Sequence, residues 1–124
     1  MSLLILDTSA VVAFAAGSVD VGEPIVEVHD EGGRVLLPVV CLIEAARQVG
    51  DEMPALLADH PACEVLSLAA RLWPAVTAGF RVLGRLDLSV ALLAATMGNG
   101  YVLTSEPESY GDLGEDSVIR IEKS

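Results

Sequence analysis

Short unbroken apolar runs alternate along the chain with segments of helical period. Leu3-Leu4-Ile5-Leu6 shows no exchange of apolar and polar positions, the pattern of a strand covered on both faces. Thr8 or Ser9 then supplies an N-cap for a helix over Ala10 to Ala16. Asp20 followed by Glu23 resembles a capping box. Pro24 falls in the first turn that follows, and Ile25 to Glu31 continues helically until Gly32-Gly33 stops it. Arg34 to Leu37 is the next buried strand, and Pro38 opens a helix that runs to Val49, before Gly50.

The segment from Asp51 to Pro61 holds a short helix around Pro54 to Ala58, and Glu64 to Leu68 reads as a strand. Leu68 to Leu83 is rich in helix formers, with Pro74 kinking or dividing it and Gly84 closing it. After Asp87, Leu88 to Met97 is apolar on most faces, which predicts a buried helix ended by Asn99-Gly100. Tyr101 to Leu103 is a strand, and Ser105 to Tyr110 a short helix with a Ser105/Glu108 capping box. Val118 to Ile121 is a last strand before a polar tail. No internal repeat interrupts this order. Strands alternating with helices predict a mainly parallel central sheet covered on both faces, in one α/β domain over residues 1–124. Ligands of such folds collect beyond the carboxyl ends of the strands.

Composition narrows the picture. A chain of 124 residues that is 52% hydrophobic has ample material for one core, too little length for a second, and no disordered character. Aromatics are only 4%, so Leu, Val and Ala must build that core. Seven basic residues against eighteen acidic ones leave a formal charge of −11, which excludes a general nucleic-acid-coating protein. Cys41 and Cys63 sit among apolar neighbours and form no framework of bridges, which points to a reducing compartment. Met1 and Ser2 lead into the first apolar run with no basic n-region. The longest uncharged apolar stretch, Val35 to Ile43, is far short of the roughly 20 residues that cross a bilayer. The expectation is a soluble, cytoplasmic protein without a membrane partner.

Four acids stand where chemistry would gather. Asp7 follows the first strand, and Asp87 stands between Gly84-Arg85-Leu86 and the buried helix. Glu106 follows the strand Tyr101 to Leu103. Glu44 lies on the flank of a helix whose apolar face reads as Val39, Leu42, Ile43, Ala46 and Val49. Each has an ordinary alternative: Asp7 and Asp87 as caps, Glu106 as a first-turn acid, and Glu44 as a partner of Arg47 or Gln48. Brought together at one end of a sheet, they would repel one another unless a cation held them ionised. An all-oxygen ligand set selects Mg2+ or Mn2+ over zinc. His29, His60, Cys41 and Cys63 have no zinc-ligand spacing.

The segments Leu4-Ile5-Leu6-Asp7-Thr8-Ser9-Ala10, Leu42-Ile43-Glu44-Ala45-Ala46, Leu86-Asp87 through Ala94-Ala95, and Val102-Leu103-Thr104-Ser105-Glu106 resemble the ordered acidic motifs of PIN domains. The resemblance covers nearly the whole chain and is closest to compact VapC-type toxins of toxin-antitoxin pairs. It implies a three-layer α/β/α sandwich and a metal-dependent endoribonuclease. Asp7, Glu44, Asp87 and a fourth acid would form the metal and catalytic site, with Thr104 as a supporting polar neighbour. The fourth position usually holds Asp in that family, whereas this chain offers Glu106, with Asp112 as a more distant substitute.

The resemblance further implies an RNA substrate cleaved to leave a 5′-phosphate, and an antitoxin partner drawn to the acidic groove. Arg81 and Arg85, upstream of Asp87, could meet substrate phosphates or serve solubility. Apolar faces on the early helices suit a homodimer. One rival reading is a weakened or non-catalytic PIN-like interaction domain, which Glu106 and the excess of acid favour. Another is a phosphoryl-transfer domain, but position 9 is Ser where a phosphohydrolase wants Asp. The only lysine is Lys123, in the tail, where a receiver domain wants one beside the acids.

Overall fold

The computed structural model describes residues 2–121, so Met1 and the end of the polar tail, including Lys123, lie outside the described residues. Five short strands form the sheet: β1 (Leu3–Leu6), β2 (Arg34–Pro38), β3 (Cys63–Leu66), β4 (Tyr101–Thr104) and β5 (Val118–Arg120). Their order is β3-β2-β1-β4-β5, and every neighbouring pair is parallel. Because β1 is central, Ile5 lies in register between Leu36 of β2 and Val102 of β4.

Continuous apolar strands make sense once both faces are covered. Leu4, Leu6, Val35, Leu37 and Leu103 point into one core with Ala10, Val11, Val21, Ile25, Ala45 and Leu57. Ile5, Leu36 and Val102 point into the other, against Cys41, Leu88, Ala91, Ala95 and Tyr110. The helices that supply these residues are α1 (Thr8–Ala15), α2 (Val19–Asp30), α3 (Val39–Val49), α4 (Glu52–Ala58), α5 (Trp73–Leu83) and α6 (Leu86–Gly98). Two 3-10 segments, Ala70–Leu72 and Pro107–Gly114, complete the chain order. The result is an α/β/α sandwich around an all-parallel sheet. Among the described residues, no single helix is long and apolar enough to cross a membrane.

Several local expectations shift for identifiable reasons. The cap of α1 is Asp7, one residue before Thr8, because its carboxylate accepts from the Ala10 N–H. Helix α2 begins at Val19, so Pro24 stands inside the helix rather than in its first turn, where its nitrogen donates nothing. The buried pair Val21 and Ile25, four residues apart, holds this earlier start. Pro74 does divide its segment: a separate 3-10 turn precedes α5, and Pro74 falls in the first turn of α5.

Helix α3 is rotated from the face its large apolar residues suggest. Cys41 and Ala45 are its buried residues, whereas Ile43 is 63% exposed. Small side chains let α3 approach its neighbours closely, and the Cys41 thiol lies 3.4 Å from the Asp87 carbonyl oxygen, to which it donates. Helix α6 is buried through its first half, while Met97 near its end is exposed. No helix starts at Ser105. The Ser105 N–H donates to Ser9 Oγ and the Glu106 N–H to Thr104 Oγ1, and the 3-10 segment begins only at Pro107.

Candidate functional site

The carboxyl ends of β1 and β4 and the start of α6 meet at one edge of the sheet. Asp7 leaves β1 in extended conformation (φ −80°, ψ −178°), and its fully buried carboxylate turns back over the first turn of α1. Oδ1 accepts from the Ser9 hydroxyl at 2.7 Å and the Ala10 N–H at 3.0 Å, and Oδ2 accepts from the Tyr110 hydroxyl at 2.7 Å. All of these donors are neutral. Among the described residues no basic side chain forms an ion pair with Asp7. Burial therefore pushes its carboxyl above the ordinary value, against the opposing pull of the Thr104, Ser9 and Tyr110 hydroxyls.

Asp87 is the second residue of α6 and only 6% exposed. Thr8, next to Asp7, donates to Asp87 Oδ2 at 2.7 Å, so adjacent residues at the end of β1 tie the two aspartates into one network. Burial alone would raise Asp87. The Arg85 guanidinium and the Thr8 hydroxyl outweigh it and hold the carboxyl below its ordinary value. Beneath them lies the buried Cys41 thiol, pushed up by burial and by the nearby Asp7 and Asp87 charges.

Arg85 reaches Asp87 with two nitrogens, Nε to Oδ1 at 3.3 Å and Nη2 to Oδ2 at 2.9 Å. Its third contact, Nη1 to Glu106 Oε2 at 3.0 Å, brings the acid after β4 into the same cluster. Ser109 adds a longer hydroxyl contact to that Glu106 oxygen at 3.4 Å. The Thr104 hydroxyl is fully buried, 3.0 Å from Ser9 Oγ, and so braces the loop from β4 against the start of α1.

Glu44 stands apart from this cluster. The Arg47 guanidinium, one helical turn on, forks onto it from Nε at 3.2 and 3.1 Å and from Nη2, and holds its carboxyl below the ordinary value. Glu44 nevertheless shares a groove with Asp87. This opening, of about 480 Å³, is lined by Val40, Ile43, Phe80 and Leu86 as well as Glu44, Arg85 and Asp87. Arg81 is exposed in the last turn of α5, and Asp112 is exposed on the final 3-10 segment.

The chemistry of this donor set, all carboxylate oxygen, suits a hard divalent cation, but the arrangement does not fit one. Among the described residues, no three Asp, Glu, His or Cys side chains stand close enough together to hold a metal ion. Asp7 is surrounded by hydroxyl and amide donors, and both Asp87 oxygens are taken by Arg85. What the site holds instead is an organic cation between two acids.

Sequence reasoning singled out Asp7, Asp87 and Glu106 and the supporting Thr104, and these do converge. It missed Tyr110, Thr8 and Ser9 as the hydroxyls that hold the aspartates. It also did not assign Arg85 to the acids. The available signal was electrostatic: converging carboxylates demand a counter-charge, and Arg85 is the nearest basic residue to Asp87 in the chain.

No family model and no curated protein matches the sequence. The fold does have a solved counterpart. The chain superposes on one from the structure of a toxin-antitoxin complex from Klebsiella pneumoniae with a TM-score of 0.69, over 98% of this chain and 99% of that one. At 9% identity that likeness is one of fold, a doubly covered parallel sheet to which each chain brings its own side chains.

Proposed function

We propose that this chain is the toxin of a toxin-antitoxin pair, and that it hydrolyses RNA phosphodiesters in a reaction that depends on Mg2+ or Mn2+. The observation that carries this reading is the meeting of Asp7 and Asp87 through Thr8 at the carboxyl edge of β1, with Glu106 beside them. Two further points support it: the order of acidic segments resembles that of PIN domains, and the solved structural counterpart comes from a toxin-antitoxin complex. In this reading Asp7 and Asp87 are the inner acids, Glu44 and Glu106 stand at the rim, and Thr104 braces the loop. Arg85 must leave Asp87 before a cation can enter. An antitoxin with basic side chains is the partner suited to the −11 charge of the chain.

The test is cleavage of single-stranded RNA by purified protein in Mn2+, with Asp87→Asn as control. Cleavage by the wild type that disappears in D87N is the expected result. Equal cleavage by both proteins would mark a contaminant and remove the support.

A second reading, a PIN-like interaction domain that has lost catalysis, is favoured by one observation: Arg85 already neutralises Asp87 and Glu106. It predicts a folded protein that cleaves no RNA in either metal, alone or freed from a partner.

A further inference from the structure

The position of Arg85 is set by its acids more than by its own backbone. Gly84 ends α5 in the left-handed region (φ +76°), and Arg85 follows in extended conformation as the residue before α6. A guanidinium there faces the positive end of a helix, an unfavourable place for a cation unless carboxylates hold it. Asp87 and Glu106 do so from two separate segments. The planar fork matches the Asp87 carboxylate with two nitrogens and leaves a third for Glu106.

We infer that Arg85 is an internal competitor for the divalent cation, a latch that keeps the acidic end closed until it is displaced. The inference rests on the reading of this end as a cation site, and it accounts for the misfit found there. Both oxygens of Asp87 face the guanidinium, so an ion can reach them only in its place. The latch is able to leave. The Arg85 and Glu106 side chains are 40% and 36% exposed, whereas Asp87, at 8%, stays behind in the wall of the groove. A doubly charged ion offers the buried carboxylate more than the single charge of Arg85, and the released side chain is free to hydrate.

The experiment measures binding of Mn2+ alone to the full chain, by the electron paramagnetic resonance signal of the free ion. Arg85→Gln should bind Mn2+ about tenfold or more tightly than the wild type, the factor that follows from losing a charge-assisted pair. Arg81→Gln removes the same charge from the exposed end of α5 and should leave the affinity unchanged. Adding Asp87→Asn to R85Q should abolish the gain. Equal affinity in R85Q and the wild type, an equal gain in R81Q, or a gain that survives D87N would each overturn the proposal.

A measurement on the wild type guards against an R85Q chain that does not fold. The Arg85 Nε–H resonance should move on titration with Mg2+, while that of Arg81 stays in place. A stationary Arg85 signal at saturating Mg2+ would also overturn the latch. RNA cleavage separates this inference from the function it builds on. Tighter Mn2+ binding by R85Q with no cleavage by any variant removes the nuclease and keeps the latch. Cleavage with identical Mn2+ binding by R85Q and wild type removes the latch and keeps the nuclease.

Discussion

The Tyr110 hydroxyl donates to Asp7 Oδ2 at 2.7 Å, joining the 3-10 segment after β4 to the residue that ends β1. Both residues are fully buried, so this bond replaces water for one oxygen of a carboxylate that has no cationic partner among the described residues. Tyr110→Phe keeps the ring and removes the donor. It should destabilise the protein by about 1–3 kcal/mol at neutral pH, the cost of stranding a buried acceptor. Urea unfolding reads this directly, and an unchanged midpoint would show that the bond contributes nothing.

Asp7 and Asp87 should pull stability in opposite directions with pH. The folded chain holds the Asp7 proton more tightly than the unfolded chain, because burial raises that carboxyl. Its contribution is therefore fully present below the unfolded value and is lost as pH rises through the folded one. Burial acts the same way on Asp87, but Arg85 and Thr8 outweigh it, so its contribution is present above the unfolded value and is lost as pH falls through the folded one. Asp7→Asn removes the first of these. In EDTA, the wild-type melting temperature should decline as pH rises above the ordinary carboxyl range, and that decline should be absent in D7N. Parallel curves would contradict the account.

Thr8 is nearly fully buried, and its hydroxyl supplies Asp87 Oδ2 with a neutral donor at 2.7 Å. Thr8→Val preserves shape and strands that oxygen, for an expected loss of about 1–3 kcal/mol. Thr8→Ser keeps the donor and should lose less. If serine and valine at position 8 cost the same by denaturant unfolding, the methyl group matters and the hydroxyl does not.

The sheet could be read in the chain because its strands are buried on both faces and need no alternation: Leu3 to Leu6 carries its own assignment. Helix ends were harder. Asp7 takes the capping role from Thr8 and Ser9 because those two hydroxyls are used elsewhere, one on Asp87 and the other on Asp7 itself. The aspartates were readable from their places after a strand and before a helix. Their holders were not. Tyr110 lies in a segment with the look of a short helix, and nothing local announces that its partner is 103 residues away. Arg85 sits two residues from Asp87, which was readable, but its reach to Glu106 depends on how α6 and β4 are set side by side. On α3, size misled: the larger apolar residues face outward, and close approach selected Cys41 and Ala45.

The central place of β1 also governs when the acidic cluster can exist. One neighbour of β1, β2, follows it within a few dozen residues, but the other, β4, starts only at Tyr101. A polypeptide still emerging from the ribosome can zip the first half of the sheet while Asp7 waits without Tyr110, Thr104 or Glu106. Whatever reaction these residues perform is thus withheld from the nascent chain and becomes available only once translation is nearly finished.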